Sequence, residues 1–351
     1  TPSMFLIKFF SIENVIISNL IFKLPLFVAD LVILITFLRL FPLKKKKIFL
    51  YYFCNPIIIY AIYIHSQLDI IPMALLFVGI YFLTLDKLKL SSLLIGLALV
   101  AKLHILITLP LLFFYLLKKH KIKDVIAYFS IILIVFILLD FPYILSEGFQ
   151  QMVLFNSKQS LLFDSYLNIG KMELLLPIVS ILMVYIHFFN QKRVNQDLLF
   201  FYFGVLFTAT LFFIYPAPAW YVWLVPFISI YYINNENEKK TRLFYAAFSI
   251  VYLIFFIIFY QPDYKDILYL GNEVNFKFEN VNLSNISFTL LLSMLLAVMY
   301  AFYNYGIKSN SIYKKQSNLI IGIGGDSGVG KTTLLNNLQN VLGNKLLQIE
   351  G

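Results

Sequence analysis

Long apolar runs alternate with short basic clusters over the first 303 residues of the chain. A transmembrane helix needs about 20 apolar residues, or about 17 at the short end. Nine runs are the main candidate spans, and a tenth, weaker one is interrupted by Lys8, Glu13 and Asn14. In chain order the candidates are residues 4–22, 25–41, 48–64, 70–85, 125–145, 174–189, 198–215, 220–233, 243–260 and 286–303. The pattern predicts a polytopic α-helical membrane protein.

The apolar stretch 91–117 is too long for one span and short for two. Cytoplasmic loops carry an excess of Lys and Arg, so loop charge sets the orientation. If the basic loop 42–47 is cytoplasmic, the clusters at 86–89 and 118–123 share its side only when 91–117 enters the membrane and returns. We therefore predict a hairpin of two short helices that breaks near residues 102–104, and about 10–12 membrane helices in all.

This orientation places eighteen Lys and Arg residues in the six inner loops and five in the outer segments. It predicts a multi-pass protein of the cell membrane, with the lipid bilayer as its surroundings. The sequences HSQLD (65–69) and YPAPAW (215–220) are expected on the extracytoplasmic side, together with the loops 146–173 and 261–285.

Composition agrees with this class, because 60% of the residues are hydrophobic and 13% are charged. Soluble domains are about half apolar and a quarter charged. The net charge of +10 comes from lysines between apolar runs, with no interleaved nucleic-acid motif, so we expect no nucleic-acid partner. Cys54 is the single cysteine, which excludes disulfides within the chain and thiolate metal clusters.

Near its end the chain carries GDSGVGKT, which fits the phosphate-loop pattern G-x-x-x-x-G-K-[ST] at every position. An apolar strand is expected before it (319–325), a helix after it (332–343) and a second strand at 345–349, which is the β–loop–α–β start of an α/β P-loop NTPase. Glycines let backbone N–H groups surround phosphate oxygens at the positive end of the helix. The predicted ATP-binding residues are Gly325, Asp326, Ser327, Gly328, Val329, Gly330, Lys331, Thr332 and Thr333.

Within this loop Lys331 is expected to reach the β- and γ-phosphates, and the hydroxyl of Thr332 to ligate Mg²⁺. The stretch IIGIGGDSGVGKTTLLNNL resembles the start of the uridine kinase and phosphoribulokinase family. ABC-transporter ATPases share part of the motif, but here a juxtamembrane segment precedes it. The resemblance implies ATP-dependent phosphorylation of a hydroxyl on a nucleoside or sugar. The family's base lies beyond residue 351, so we expect 318–351 to be a C-terminally truncated kinase domain after a basic cytoplasmic linker, 304–317.

Ionisable side chains inside apolar runs are costly and are functional candidates by default. The predicted topology places Asp30, Asp69 and Asp140 near the outer ends of their spans, and Lys102 within the hairpin. Each acid also has a structural explanation. Asp69 could cap the helix that follows, and Asp140 could lie in the headgroup zone.

Four segments, FKLPLFVADL, HSQLD, GLALVAKLHILITLP and YPAPAWYVWLVP, together resemble the GT-C membrane glycosyltransferases, most of all the mannosyltransferase branch that uses polyprenyl-phosphate sugars. Ser66 stands where that family has Gly. The matching positions are Asp30, His65, Gln67, Asp69, Gly96, Lys102, Pro110, Pro216, Trp220, Tyr221, Trp223 and Pro226.

This resemblance implies transfer of a sugar from a polyprenyl-phosphate donor to a glycan or glycolipid acceptor at the outer membrane face. His65, Gln67 and Asp69 would bind polar groups of the substrates, and Lys102 the donor phosphate. Trp220 and Tyr221 would stack on a sugar, or only anchor the chain at the membrane interface.

The family's catalytic acid lies in the first outer loop, upstream of residue 1, so we expect the domain 1–303 to be truncated at its N-terminus. Asp69 and Asp30 are then the catalytic candidates within the chain. The rival hypothesis is a polytopic transporter or flippase with an ATP-binding or nucleotide-sensing cytoplasmic domain.

Overall fold

The computed structural model describes residues 9, 14–235, 237–260, 280–308, 310 and 322–342. The chain divides into two compact units, Thr1–Tyr313 and Lys314–Gly351. Helices of eight or more residues are α1 (Val15–Leu40), α2 (Ile70–Thr84), α3 (Leu88–Ala101), α4 (Leu109–Lys119), α5 (Ile122–Asp140), α6 (Ser157–Asp164), α7 (Leu176–Phe189), α8 (Gln196–Phe213), α9 (Val225–Asn234), α10 (Glu238–Leu253), α11 (Val281–Tyr303) and α12 (Lys331–Leu342).

Shorter helical segments continue or join these helices. They are Pro42–Lys44, Lys45–Ile48, Phe49–Phe53, Pro56–Ile58, Ile59–Ile64, Leu103–Thr108, Phe141–Tyr143, Glu147–Phe149, Gln150–Leu154, Pro218–Trp223, Ile254–Phe259 and Asn304–Lys308. Two strands, β1 (Tyr166–Ile169) and β2 (Met172–Leu175), pair antiparallel, with Tyr166 opposite Leu175 and Ile169 opposite Met172. No regular element was predicted within 146–173, where most of this hairpin lies, because its apolar residues are interrupted by polar ones.

Five helices in the described residues are long and apolar enough to cross a membrane, namely Ile16–Leu40, Ile122–Tyr143, Gln196–Phe213, Glu238–Phe259 and Val281–Lys308. A sixth span results if Pro42–Phe53 and Pro56–Ile64, which are bent by 41°, count as one. Four shorter apolar helices accompany them, α2, α3, α7 and α9. The prediction of a helical membrane protein is therefore confirmed.

The first helix corrects one detail of the prediction. The side chain of Asn14 caps α1 by accepting from the backbone N–H of Ile16 at 2.9 Å, and the helix then continues through Pro25 to Leu40. Residues 15–22 of the first candidate and 25–40 of the second therefore belong to one continuous helix and not to two separate spans. Lys23, at their predicted boundary, lies inside the helix and is 5% exposed.

The predicted break in the stretch 91–117 is confirmed. Helix α3 ends at Ala101, Lys102 is extended with φ −165° and ψ 128°, and a 3₁₀ segment leads to α4. Glycines bring the neighbouring helices close. A Cβ built on Gly79 would lie 2.7 Å from Ile95, and one on Gly96 would lie 3.0 Å from the Cβ of Val135. Small residues at such contacts allow tight helix packing in membranes.

The core of the first unit is centred on α8. In its apolar window 72% is buried, against 22% for Ile122–Tyr143, so α8 is surrounded by protein and α5 exposes a broad apolar surface. In lipid that surface needs no protein partner.

In the second unit, the helix predicted after the phosphate loop is found as α12. The described part of the strand predicted at 319–325 begins at Gly322 and is irregular instead. A strand needs a hydrogen-bonded neighbour, and the described residues of this unit include none. The second predicted strand, 345–349, lies outside the described residues.

Candidate functional site

Three interruptions of helical structure meet at one cavity of about 580 Å³ in the first unit. They are the turn before α2, the break after α3 and the segment Pro218–Trp223. Six residues singled out in the sequence line the cavity together, namely Gln67, Asp69, Lys102, Asp140, Trp220 and Trp223. His104, at the predicted helix break, lines it too.

Asp69 is the buried acid of this cavity and is only 1% exposed. Its Oδ1 accepts from the Lys102 ammonium at 2.6 Å and from the Trp223 indole N–H at 2.8 Å. Its Oδ2 has no hydrogen-bond partner within the described chain. Although Asp69 precedes α2, its side chain makes no capping bond to that helix. The structural explanation of Asp69 as a cap is therefore not what the structure shows.

Asp69 lies in a turn outside the apolar helices, and its charge state follows from its neighbours. Burial alone would raise the pKa of this carboxyl, because water stabilises the charged form. The Lys102 ammonium and the hydrogen bonds from Lys102 and Trp223 outweigh burial and hold the pKa of Asp69 below its usual range. At neutral pH the site therefore holds a carboxylate paired with an ammonium.

Aromatic rings form one wall of the cavity. The imidazole of His104 stacks on Trp223 with ring centroids 4.2 Å apart and planes 9° apart, and Trp220 stacks on Trp223 at 5.6 Å and 22°. Burial lowers the pKa of His104 to about 3, so the ring is neutral near pH 7. Flat faces of this kind suit the C–H faces of a sugar ring.

The segment between α5 and α6 and the start of α6 supply another part of the lining. Phe149, Met152 and Val153 are its apolar residues, and Asn156, Lys158 and Gln159 its polar ones. The Asn156 side chain caps α6 by accepting from the backbone N–H of Lys158 at 2.9 Å. The lining of the cavity therefore combines polar residues from several elements with the apolar side chains of this segment.

Three sequence-predicted residues are not among the residues that line this cavity. Asp30 is fully buried and accepts from the hydroxyls of Tyr52 and Tyr63, both at 2.7 Å, one on each carboxylate oxygen. His65 is 5% exposed, next to the ring of Tyr60. Tyr221 is fully buried among aromatic side chains.

Asp30 is connected through Tyr63 to the turn that carries Asp69. The ammonium of Lys23 donates to the carbonyl of Tyr63 at 2.7 Å while Asp30 holds its hydroxyl. Tyr63 lies just before the turn that carries Asp69. Two residues of α1 therefore hold its backbone carbonyl and its side-chain hydroxyl. Asp30 is thus linked to the turn that carries Asp69 and does not itself line the cavity.

The phosphate-loop unit has its own candidate site. Gly328 and Gly330 adopt φ values of 90° and 84°, which side chains rarely tolerate, and α12 starts directly afterwards. The ammonium of Lys331 donates to the carbonyl of Asp326 at 3.0 Å and to that of Gly325. Thr332 and Thr333 lie in the first turn of α12. A glycine turn, a helix N-terminus and a lysine are groups that suit a phosphate, so the residues present fit a nucleotide.

His104 and Trp223 contribute more to the cavity than their sequence positions indicated. His104 marked only the helix break, and Trp223 entered only as a motif position. Trp223 donates a hydrogen bond to Asp69, and His104 stacks on Trp223. The sequence signal for His104 was its position two residues after Lys102 in the helix break.

The apolar helices and the polar cavity among their breaks define the chain as a helical membrane protein. Comparisons with protein-family models, with curated proteins and with solved structures give no match to this chain.

Proposed function

We propose that the first unit is a membrane glycosyltransferase that takes a sugar from a polyprenyl-phosphate donor and passes it to a hydroxyl of a glycan or glycolipid. One observation carries the proposal. The buried carboxylate of Asp69, which has one unpaired oxygen, lines a single cavity with the ammonium of Lys102 and the stacked ring of Trp223. These groups match the hydroxyl, the phosphate and the ring of such substrates.

The proposed reaction uses Asp69 to orient the acceptor. The acceptor hydroxyl donates to Oδ2, and its oxygen attacks the anomeric carbon of the donor sugar. The new O–C bond forms as the C–O bond to the phosphate breaks, and the electron pair leaves with the lipid phosphate. Because Asp69 has a low pKa it is a weak base, so the proton passes on to the departing phosphate, whose second pKa is about 6.

Lys102 balances the charge of this step. Its side chain is 39% exposed, while Asp69 is 1% exposed, so the ammonium can face a phosphate in the cavity without leaving the carboxylate. The apolar residues Phe149, Met152 and Val153 offer contacts to a prenyl chain. The bias of basic loops favours the extracytoplasmic side for this cavity, with the lipid donor arriving from the bilayer.

Sugar transfer by the full chain tests the proposal. With a radiolabelled polyprenyl-phosphate hexose and an oligosaccharide acceptor in detergent, Asp69→Asn should lower the rate by about 10²–10⁴-fold, as loss of a group that handles the transferred proton does. Asp164→Asn, an exposed acid that does not line the cavity, is the matched control and should retain wild-type transfer. Full activity in Asp69→Asn would contradict the role of Asp69.

The second unit is proposed to bind ATP and Mg²⁺ as a kinase-like phosphotransferase domain. Backbone N–H groups around Gly328 and Gly330 would hold the phosphates, Lys331 would neutralise them, and Thr332 would ligate the metal. Bound Mg·ATP would supply the phosphoryl group for a hydroxyl on a nucleoside or sugar.

A fluorescent ATP analogue tests this domain. Lys331→Ala should abolish binding of the analogue and spare sugar transfer, while Asn337→Ala, exposed on α12, should change neither. Loss of both activities in Lys331→Ala would argue against independent sites. Substrate movement across proteoliposomes without any transferred sugar would favour the transporter hypothesis instead.

A further inference from the structure

His104 holds two buried polar atoms without a partner. Neither Nδ1 nor Nε2 of its ring is exposed to solvent, and neither makes a hydrogen bond with the described part of the protein. An unsatisfied buried polar group costs about 1–3 kcal/mol, and nearly all such groups in folded proteins have a partner. Because His104 lines the cavity, the missing partner is expected there.

The orientation of the ring is fixed by its neighbours. His104 lies 4.2 Å from Trp223 with nearly parallel planes, and Trp223 is itself tied to Asp69 by the 2.8 Å bond of its indole N–H. The stack leaves the two nitrogens directed within the plane of the imidazole. The ring therefore offers one N–H donor and one lone-pair acceptor in a defined direction beside the carboxylate.

We propose that His104 binds a sugar hydroxyl in this cavity. The class of ligand rests on the proposed glycosyltransferase function, whereas the unpaired nitrogens and the stack stand independently of it. A hydroxyl both donates and accepts, which matches a neutral imidazole. An anionic ligand group would instead meet the carboxylate of Asp69 and would be drawn to Lys102. The hydroxyl can belong to the donor sugar or to the acceptor, and the choice of probes separates the two.

Tryptophan fluorescence, excited selectively over that of the 24 tyrosines, reports on this site, because the only two tryptophans of the chain, Trp220 and Trp223, both line the cavity. The full-length protein in detergent is titrated with farnesyl-phosphate hexose, with farnesyl phosphate and with a methyl hexoside. The variants are His104→Phe, which keeps a stacked ring without nitrogens, and His104→Gln, which restores a donor and an acceptor without the ring.

For His104→Phe we expect about 3- to 10-fold weaker binding of at least one sugar-bearing probe, as for loss of neutral hydrogen bonds, and unchanged binding of farnesyl phosphate. His104→Gln should recover part of the loss. Weakening with farnesyl-phosphate hexose alone assigns the hydroxyl to the donor, and weakening with the methyl hexoside alone assigns it to the acceptor.

The unchanged affinity for farnesyl phosphate shows that the variant cavity is intact. If the wild type binds a sugar-bearing probe and His104→Phe binds it equally well, the role of His104 is refuted while the proposed function survives. An equal loss for all three probes would reduce His104 to a structural residue. If the wild type binds no methyl hexoside and prefers farnesyl-phosphate hexose no more than farnesyl phosphate, both proposals fail.

Discussion

Replacing Lys102 by Met should destabilise the membrane unit more than removing both charges of the pair. Asp69 is 1% exposed, and without the ammonium at 2.6 Å its carboxylate keeps only the bond from Trp223. Removing one partner of a buried ion pair leaves an uncompensated charge, which costs about 3–5 kcal/mol. In this variant the Asp69 carboxylate can avoid the unpaired charge by taking up a proton, because burial raises its pKa once the Lys102 ammonium is absent.

The reverse change should be milder. In Asp69→Asn the ammonium of Lys102 loses its partner, but its side chain is 39% exposed and can bind water in the cavity. The amide oxygen of the new side chain can still accept from Trp223. A loss of roughly 1–2 kcal/mol is expected, close to that of one charge-assisted hydrogen bond. In the double variant no charge remains, so most of the loss caused by Lys102→Met should be recovered, with a coupling energy of about 3 kcal/mol.

Unfolding in mixed micelles with increasing sodium dodecyl sulfate, followed by circular dichroism, measures the four free energies of this cycle. Lys171→Met, a change at an exposed lysine in the turn between β1 and β2, is the control and should stay within about 0.5 kcal/mol of the wild type. Additive losses for Lys102→Met and Asp69→Asn, with no recovery in the double variant, would refute the reasoning from the buried pair.

Three further predictions use the same assay. The pKa of Asp69 is lower in the folded protein than its unfolded value of about 3.9. The free energy that its ionisation adds to folding is therefore complete above that pH and is lost as the pH falls through the folded pKa. In Asp69→Asn the stability should fall less on acidification. Asp30→Asn should cost about 1–3 kcal/mol, since an amide cannot accept hydrogen bonds on both sides from Tyr52 and Tyr63. An equal loss when Asp30→Asn is made in the Tyr63→Phe background would contradict a role of the Tyr63 hydrogen bond. Gly96→Val should cost about 1–3 kcal/mol because of its approach to α5, whereas Gly148→Ala, with no atom within 4 Å of the added Cβ, should be neutral.

Most helices could be predicted because their apolar length carries the information. The break near Lys102 was predictable too, since the basic clusters on either side had to share one face of the membrane. The start of α1 was not. Lys23 looked like a boundary, yet its ammonium is satisfied by the carbonyl of Tyr63, 40 residues away along the chain. A contact of that separation leaves no mark on local hydropathy.

The candidate site was predictable as a set of residue types but not as a set of contacts. Asp69, Lys102 and Trp220 were proposed from short motifs, and all three line one cavity. Asp30 looked equivalent to Asp69, because both are acids in apolar surroundings. Only the fold separates them: both oxygens of Asp30 accept hydrogen bonds from tyrosines, while one oxygen of Asp69 has no hydrogen-bond partner among the described residues.

The convergence of three helix breaks is the strongest physical reason to regard this cavity as functional. Within a membrane, irregular backbone is tolerated only where it is buried in protein or lines a hydrated cavity, since unpaired N–H and C=O groups are costly in lipid. The turn before α2, the break at Lys102 and the segment Pro218–Trp223 each interrupt apolar sequence, and each sends a polar side chain to the same place. Three unrelated interruptions would be expected at different positions. Their meeting around Asp69 supports the proposal that this cavity is the substrate site of the membrane unit.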